Sequence, residues 1–166
     1  MAQVKLGETT VSTSGSLPVI GSFAPEFTLV ANDLSEVSLK DFKGKNVVLN
    51  IFPSIDTRVC AMSVREFNKR VSEEENAVVL CISKDLPYAM KRFCGAEGID
   101  KVLTLSDFRN KGFSQNYRTE MIDGRMQGLH ARAVVVIDVN GEVKYTELVP
   151  VIGQEPDYDS GLKALS

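Results

Sequence analysis

The run "VVLNIF" at residues 47–52 is apolar, rich in β-branched side chains and bounded by polar residues and Pro53, so it reads as a strand buried inside a sheet. The segments after it narrow the fold further. A helix is expected over residues 58–75, a strand at "AVVLCIS" (77–83), a helical stretch over 87–97, a strand at "VLTLS" (102–106) and a helical segment near 108–117. The strand "ARAVVVIDV" then turns at Asn140-Gly141, a two-residue hairpin signal, into "EVKYTELV", and a last helix is expected over 156–165. Strands that alternate with helices and finish in a hairpin specify an α/β protein with a central mixed sheet covered by helices on both faces. The short alternating segments "VKLGETTVST" and "FTLV" add an N-terminal hairpin and an edge strand.

Composition removes several classes of function. The 166 residues contain no internal repeat, low-complexity tract or linker, so a single domain is expected over 1–166. With 43% hydrophobic and 25% charged residues the chain has ordinary globular content. A net charge of -3 supplies no basic stripe for nucleic acid. No apolar run approaches the roughly 20 residues that cross a bilayer. The N-terminus, "MAQVKLGETTVSTSGSLPVI", lacks the apolar core of a signal peptide, and a cytoplasmic location is expected.

Three cysteines, Cys60, Cys81 and Cys94, are odd in number and widely spaced, which argues against a disulfide-stapled secreted scaffold. Without a CxxC pair, and with one histidine, the chain offers no donor set typical of zinc, and no metal or other cofactor is expected. The thiols are therefore packing or redox chemistry. On the helix after Pro53, Cys60, Val64, Phe67 and Val71 follow steps of 4, 3 and 4, one face of a 3.6-residue period. With Thr57 as N-cap, Cys60 stands at the third helical position, where a thiolate meets unpaired backbone N–H groups and the positive helix end. A free thiol is about a tenth ionised or less at neutral pH, and a helix terminus contributes only about 0.3–2 kcal/mol toward the anion. A cation has to help.

The candidate cation is Arg132, in "HARAVVVID", which shares strand parity with Val134 and Val136. An arginine on the face of core valines needs a partner, and an anionic sulfur would be one. The other reading is a surface arginine on a strand that has not yet reached the core. Cys81, between Leu80 and Ile82, reads as an inert buried strand thiol. His130 is open between a general base and a residue that is simply exposed or hydrogen-bonded.

The stretch "FPSIDTRVC" resembles the P-x-x-x-T-x-x-C signature of the peroxiredoxins, carried by Pro53, Thr57 and Cys60. "SKDLPYAMKRFCGAEG" and "GLHARAVVVIDVNGEV" are similar to one subgroup, the bacterial thiol peroxidases, which are atypical two-cysteine peroxiredoxins. The resemblance runs over nearly the whole chain. It implies a thioredoxin-like fold and reduction of hydrogen peroxide and alkyl hydroperoxides, with Cys60 as the peroxidatic cysteine and Cys94 as the resolving cysteine. Thr57 would hydrogen-bond the peroxide and the sulfur, Pro53 would shield the pocket, and Arg132 would be the active-site arginine. The family varies at the residue two before the cysteine, so the resemblance implies that Arg58 would tune the site, in a direction the resemblance does not give. A dithiol reductant of the thioredoxin type and a homodimer are implied as partners. A buried structural thiol remains the competing reading of Cys94. Gly95 weakens the helix directly after it. Because a disulfide needs Cα atoms within about 7 Å, two cysteines on different helices are expected to move before they bond. Other classes stay distinguishable. A disulfide exchanger would normally carry CxxC, a hydrolase would have only His130 as base, and a binding module would tolerate loss of Cys60.

Overall fold

The computed structural model describes residues 1–165. A small hairpin, β1 (Gln3–Leu6) and β2 (Thr9–Ser12), stands apart from a seven-stranded sheet. The sheet contains β3 (Thr28–Val30), β4 (Glu36–Ser38), β5 (Asn46–Ile51), β6 (Ala77–Ser83), β7 (Leu103–Lys111), β8 (Ala133–Ile137) and β9 (Val143–Leu148), in the order β4-β3-β7-β6-β5-β8-β9. The helices are α1 (Arg58–Val71), α2 (Pro87–Glu97), α3 (Phe113–Tyr117) and α4 (Tyr158–Lys163), with one 3-10 turn at Leu39–Phe42. β5 runs parallel to β6 and antiparallel to β8, and β6 runs parallel to β7, so the sheet is mixed.

Two apolar layers explain the unbroken hydrophobic runs. Val47, Leu49 and Ile51 of β5 pack with Ala133, Val135 and Ile137 of β8 on one face, where Phe113 and Tyr117 of α3 close the layer. Val48 of β5, Val79 and Cys81 of β6 and Val134 and Val136 of β8 point to the opposite face, against Cys60, Val64, Phe67 and Val71 of α1. Successive strand side chains alternate between faces, so a strand covered on both sides is apolar at nearly every position, and the one buried polar residue of β5, Asn50, is hydrogen-bonded. The face of α1 predicted by the 4-3-4 spacing is the buried one. Among the described residues no helix is long and apolar enough to cross a membrane.

Several boundaries differ from the sequence reading. The helix expected to reach residue 75 ends at Val71, and the residues after it form turns. Residues 108–111 are not helical; they extend β7, whose outer half pairs with β3 across an irregular register that sets Thr28 opposite Lys111 and Val30 opposite Ser106. "FTLV" is not the edge, because β4 pairs outside it. The turn between β8 and β9 is a three-residue loop rather than a two-residue one. Gly141 N donates to Asp138 O at 3.0 Å, Gly141 takes φ 84°, and the strand register shifts at Val136/Ile137, the geometry of a type I turn followed by a bulge. The last helix spans only Tyr158–Lys163.

Candidate active site

The loop from β5 delivers α1 with its first amides unused. Thr57 is the N-cap, with φ -98° and ψ 150°, but its hydroxyl donates to Ser54 O at 3.0 Å and caps no amide of the helix. Ala61 N bonds Thr57 O at 2.9 Å, and among the described residues the N–H groups of Arg58, Val59 and Cys60 have no acceptor. Three free donors at a helix N-terminus form a ready site for negative charge. Cys60, the third helical residue, lies there with 0% of its surface exposed. Pro53, in the loop ahead of α1, is buried, while Thr57 and Arg58 are exposed.

Arg132 comes from the segment just ahead of β8 and is 2% exposed, which decides against a surface arginine. Its Nη2 donates to Cys60 Sγ at 3.4 Å and to Ile152 O at 2.9 Å, and its Nε donates to the same carbonyl at 3.0 Å. Nη1 has no partner among the described residues, and no carboxylate pairs with this guanidinium there. A carbonyl orients the arginine without cancelling its charge, so the positive field is left for the sulfur. Ile152 was not singled out from the sequence. Nothing in the local pattern marks a carbonyl from a turn 20 residues away as a partner.

Beneath α1 the buried Asn50 donates to Ser63 Oγ at 3.1 Å and to Cys81 Sγ at 3.6 Å, while Ser63 Oγ donates to Cys60 O at 2.7 Å. Burial pushes the Cys81 thiol up to about 12, against the opposing hydrogen bond from Asn50, so Cys81 stays a neutral thiol. Cys94 is half-buried on α2, with Sγ 3.6 Å from Thr104 Oγ1, and all three cysteines are unbonded.

His130 is 0% exposed and lies outside this cluster. Its Nε2 meets Asp107 Oδ2 at 2.8 Å and its Nδ1 meets Thr119 Oγ1 at 2.9 Å. Ser114 Oγ also donates to Asp107 at 2.7 Å, and Lys84 Nζ is 3.3 Å away. Burial raises the Asp107 carboxyl, but the bond and charge of His130, the Ser114 hydroxyl and the Lys84 charge outweigh it and hold the group below the usual carboxylate range. Both ring nitrogens of His130 are engaged in a polar network with Phe113 packed edge-on at 5.4 Å, so the residue is structural.

The chain is similar over its whole length to known proteins. The Redoxin family profile matches residues 20–162. Thiol peroxidases of Mycobacterium tuberculosis and Mycobacterium bovis are 54% identical over 165 residues, covering 99% of this chain and 99% of theirs. Among solved structures, a peroxiredoxin-like protein from Aquifex aeolicus superposes with a TM-score of 0.92 at 37% identity, covering 98% of this chain and 95% of that one. A thiol peroxidase from Chromobacterium violaceum shares the fold, with a TM-score of 0.89 at 21% identity over 97% of this chain and 93% of its own. With a family match across most of its residues and curated relatives of the same length, this chain belongs to the Redoxin family, within the thiol peroxidase group of peroxiredoxins.

Proposed function

We propose that the protein reduces hydrogen peroxide and alkyl hydroperoxides at Cys60 and is recycled through a Cys60–Cys94 disulfide by a dithiol reductant of the thioredoxin type. The observation that carries this reading is the buried, carboxylate-free guanidinium of Arg132 on the sulfur of a cysteine whose helix offers three unpaired amides. Family membership supports the thiol-dependent peroxidase chemistry; the pairing of Cys60 with Cys94 and the reductant are inferred.

In the first step the Cys60 thiolate attacks one peroxide oxygen and the O–O bond breaks, giving a Cys60 sulfenic acid and releasing water or an alcohol. The thiolate is stabilised by the Arg132 Nη2 contact, and the free Nη1 and the Cys60 amide are donors available to the negative charge building on the leaving oxygen. Because the Thr57 hydroxyl spends its proton on Ser54 O, its lone pairs are left to accept from a peroxide O–H. Pro53, packed into the loop, keeps water from the sulfur. In the second step the Cys94 thiol displaces hydroxide from the sulfenic sulfur, forming the disulfide and water. Thiol exchange with the reductant returns both thiols and oxidises that reductant to its disulfide. The resemblance to the subgroup also supports a homodimer working in a reducing, cytoplasmic compartment, and solution scattering of the reduced protein checks the dimer.

The test tracks peroxide consumption with a thioredoxin system for wild type, Cys60→Ser and Cys94→Ser. Cys60→Ser should show no turnover. Cys94→Ser should consume one equivalent and stop unless an external thiol is supplied. Sustained turnover by Cys60→Ser would refute the reading.

A further inference from the structure

One carboxylate joins the loop that carries Pro53 to Thr57 to the helix that carries Cys94. Asp85 Oδ1 accepts from Ser54 Oγ at 2.8 Å, and Asp85 Oδ2 accepts from Ile55 N at 2.7 Å. Ser83 Oγ donates to the same Oδ2, Asp85 N returns a bond to Ser83 Oγ at 3.2 Å, and Ser106 Oγ donates to Asp85 O. Asp85 is thus fixed by the C-terminal end of β6 and by β7, and it fixes the loop ahead of α1. Ser54 passes the restraint onward, for its Oγ accepts from Asp56 N at 3.2 Å and its carbonyl accepts from Thr57 N at 3.1 Å. The residue after Asp85 is Leu86, the N-cap of α2. Two exposed ion pairs also link the loop and α1 to α2, Asp56 with Arg92 at 3.7 Å and Arg65 with Glu97 at 2.6 Å, but such surface pairs contribute little.

The proposed cycle makes opposite demands on this loop. Attack on peroxide needs the first turn of α1 in place, with Cys60 on its free amides and on Arg132. Disulfide formation needs the reverse, because the Cys60 sulfur is fully buried on Arg132 while the Cys94 sulfur, on a different helix, is held by Thr104 of β7. The last turn of α2 is closed by Gly98 at φ 66°, with Gly98 N and Ile99 N both donating to Cys94 O, so a single C-terminal turn restrains Cys94. Between the two steps the loop has to let go.

We propose that Asp85 is a positioning residue that sets how the enzyme divides between the closed loop that attacks peroxide and the open loop that forms the disulfide. The proposal rests on the peroxidase reading above. Asp85 touches neither substrate nor sulfur. It acts by holding Ser54 and Ile55, and through them the N-terminus of α1. A carboxylate accepts from Ser54, Ile55 and Ser83 at once, whereas an amide has to turn an NH2 toward one of those donors. The closed form also exposes the sulfenic acid to a second peroxide, which would oxidise it to a sulfinic acid with release of another alcohol or water, a branch that the disulfide prevents.

The experiment compares wild type, Asp85→Asn and Ser54→Ala. Amide hydrogen exchange is read at Ile55, whose N–H is bonded to Asp85, and at core strand amides such as Leu49 and Leu80. Asp85→Asn should speed Ile55 exchange about tenfold or more, the worth of one hydrogen bond to a charged acceptor, with the strand amides unchanged. The rate of peroxide attack should fall by a similar factor, disulfide formation should accelerate, and the yield of Cys60 sulfinic acid under excess peroxide should drop. Ser54→Ala should move all four quantities in the same directions by less, and it decides the matter alone if Asp85→Asn does not fold. A merely structural role would slow both steps together or lower the melting temperature alone, and either result overturns the proposal. Wild type that forms no Cys60–Cys94 disulfide would overturn the peroxidase reading along with it. Wild type that forms the disulfide while both variants keep its partition would overturn the role of Asp85 only.

Discussion

Replacing Arg132 with methionine tests the electrostatic core of the site. The Nη2 to Sγ distance of 3.4 Å gives a Coulomb attraction of about 5 kcal/mol at an effective dielectric of about 20, an upper bound because the guanidinium charge is spread over three nitrogens. Hydrogen bonds to charged groups are worth about 1.5–3 kcal/mol, the smaller and safer figure. At about 1.36 kcal/mol per decade, Arg132→Met should slow peroxide attack about 10- to 150-fold. The chain has no tryptophan, so intrinsic indole fluorescence is not available as a signal. Competition between the reduced protein and a haem peroxidase for limiting peroxide reads the attack rate directly. Arg132→Lys keeps the charge but cannot reproduce the fork that binds Ile152 O through Nε and Nη2 while touching the sulfur, so its rate should fall between the two. Methionine also leaves the buried Ile152 carbonyl without its two donors, which costs about 1–3 kcal/mol, so the melting temperature should fall by several degrees. If Arg132→Met still folds and attacks peroxide within twofold of the wild-type rate, the arginine does not act on Cys60.

Three further perturbations probe the surroundings. Cys81→Ala should leave peroxide attack and turnover unchanged, and in the native protein Cys81 should resist alkylation while Cys94 reacts, since burial keeps Cys81 a neutral thiol. Gly95→Ala adds a methyl group with no atom within 4 Å, so it should stiffen α2 by about 0.5–1 kcal/mol and slow disulfide formation about 2- to 5-fold, with peroxide attack unaffected. Because the Asp107 carboxyl is held below its ordinary value in the folded protein, its contribution to stability is complete above the unfolded value near about 3.9 and is lost as pH falls through the lower folded value. Asp107→Asn should therefore lose about 1.5–3 kcal/mol at neutral pH and show a flatter acid limb in denaturant melts.

The strong periodicities were readable because burial imposes them. β5, β6 and β8 are rich in β-branched and other apolar residues because both of their faces are covered, and the stripe of Cys60, Val64, Phe67 and Val71 arises from one helix face against one sheet face. The failures sit where the sheet thins toward its edge. β4 has only three residues, and its pairing with β3 is a tertiary outcome with no periodic signal of its own. Residues 108–111 are exposed, with three polar side chains after Phe108, so nothing in their pattern distinguishes a strand extension from a helix start; the pairing of Lys111 with Thr28 decides it. At Asn140-Gly141 the dipeptide announced a hairpin correctly but not its length, because Asp138 accepts from both Asn140 N and Glu142 N and builds a wider loop.

The site divides in the same way. Cys60 and Arg132 stood out in the sequence because each breaks a local rule, a thiol at a helix N-terminus and a charge on an apolar face, while Thr57 stood out as an ordinary hydroxyl N-cap three residues ahead of that thiol. Asp85 and the Ile152 carbonyl break none, and their importance comes only from what the fold brings to them. Yet these two bond the surroundings of the other three, Ile152 through the Arg132 guanidinium and Asp85 through Ser54 and Ile55 ahead of α1. A carboxylate beside Arg132 would satisfy the buried charge and remove the attraction that favours a thiolate; a carbonyl dipole satisfies the direction of the guanidinium while leaving its charge on the sulfur. The carboxylate of Asp85 is instead spent on the loop, where negative charge is held by a backbone N–H and hydroxyls of Ser54 and Ser83 rather than by the arginine. In the proposed cycle, an anion that fastens the loop on partners other than the Arg132 cation lets the loop open in the second step without first breaking a buried ion pair.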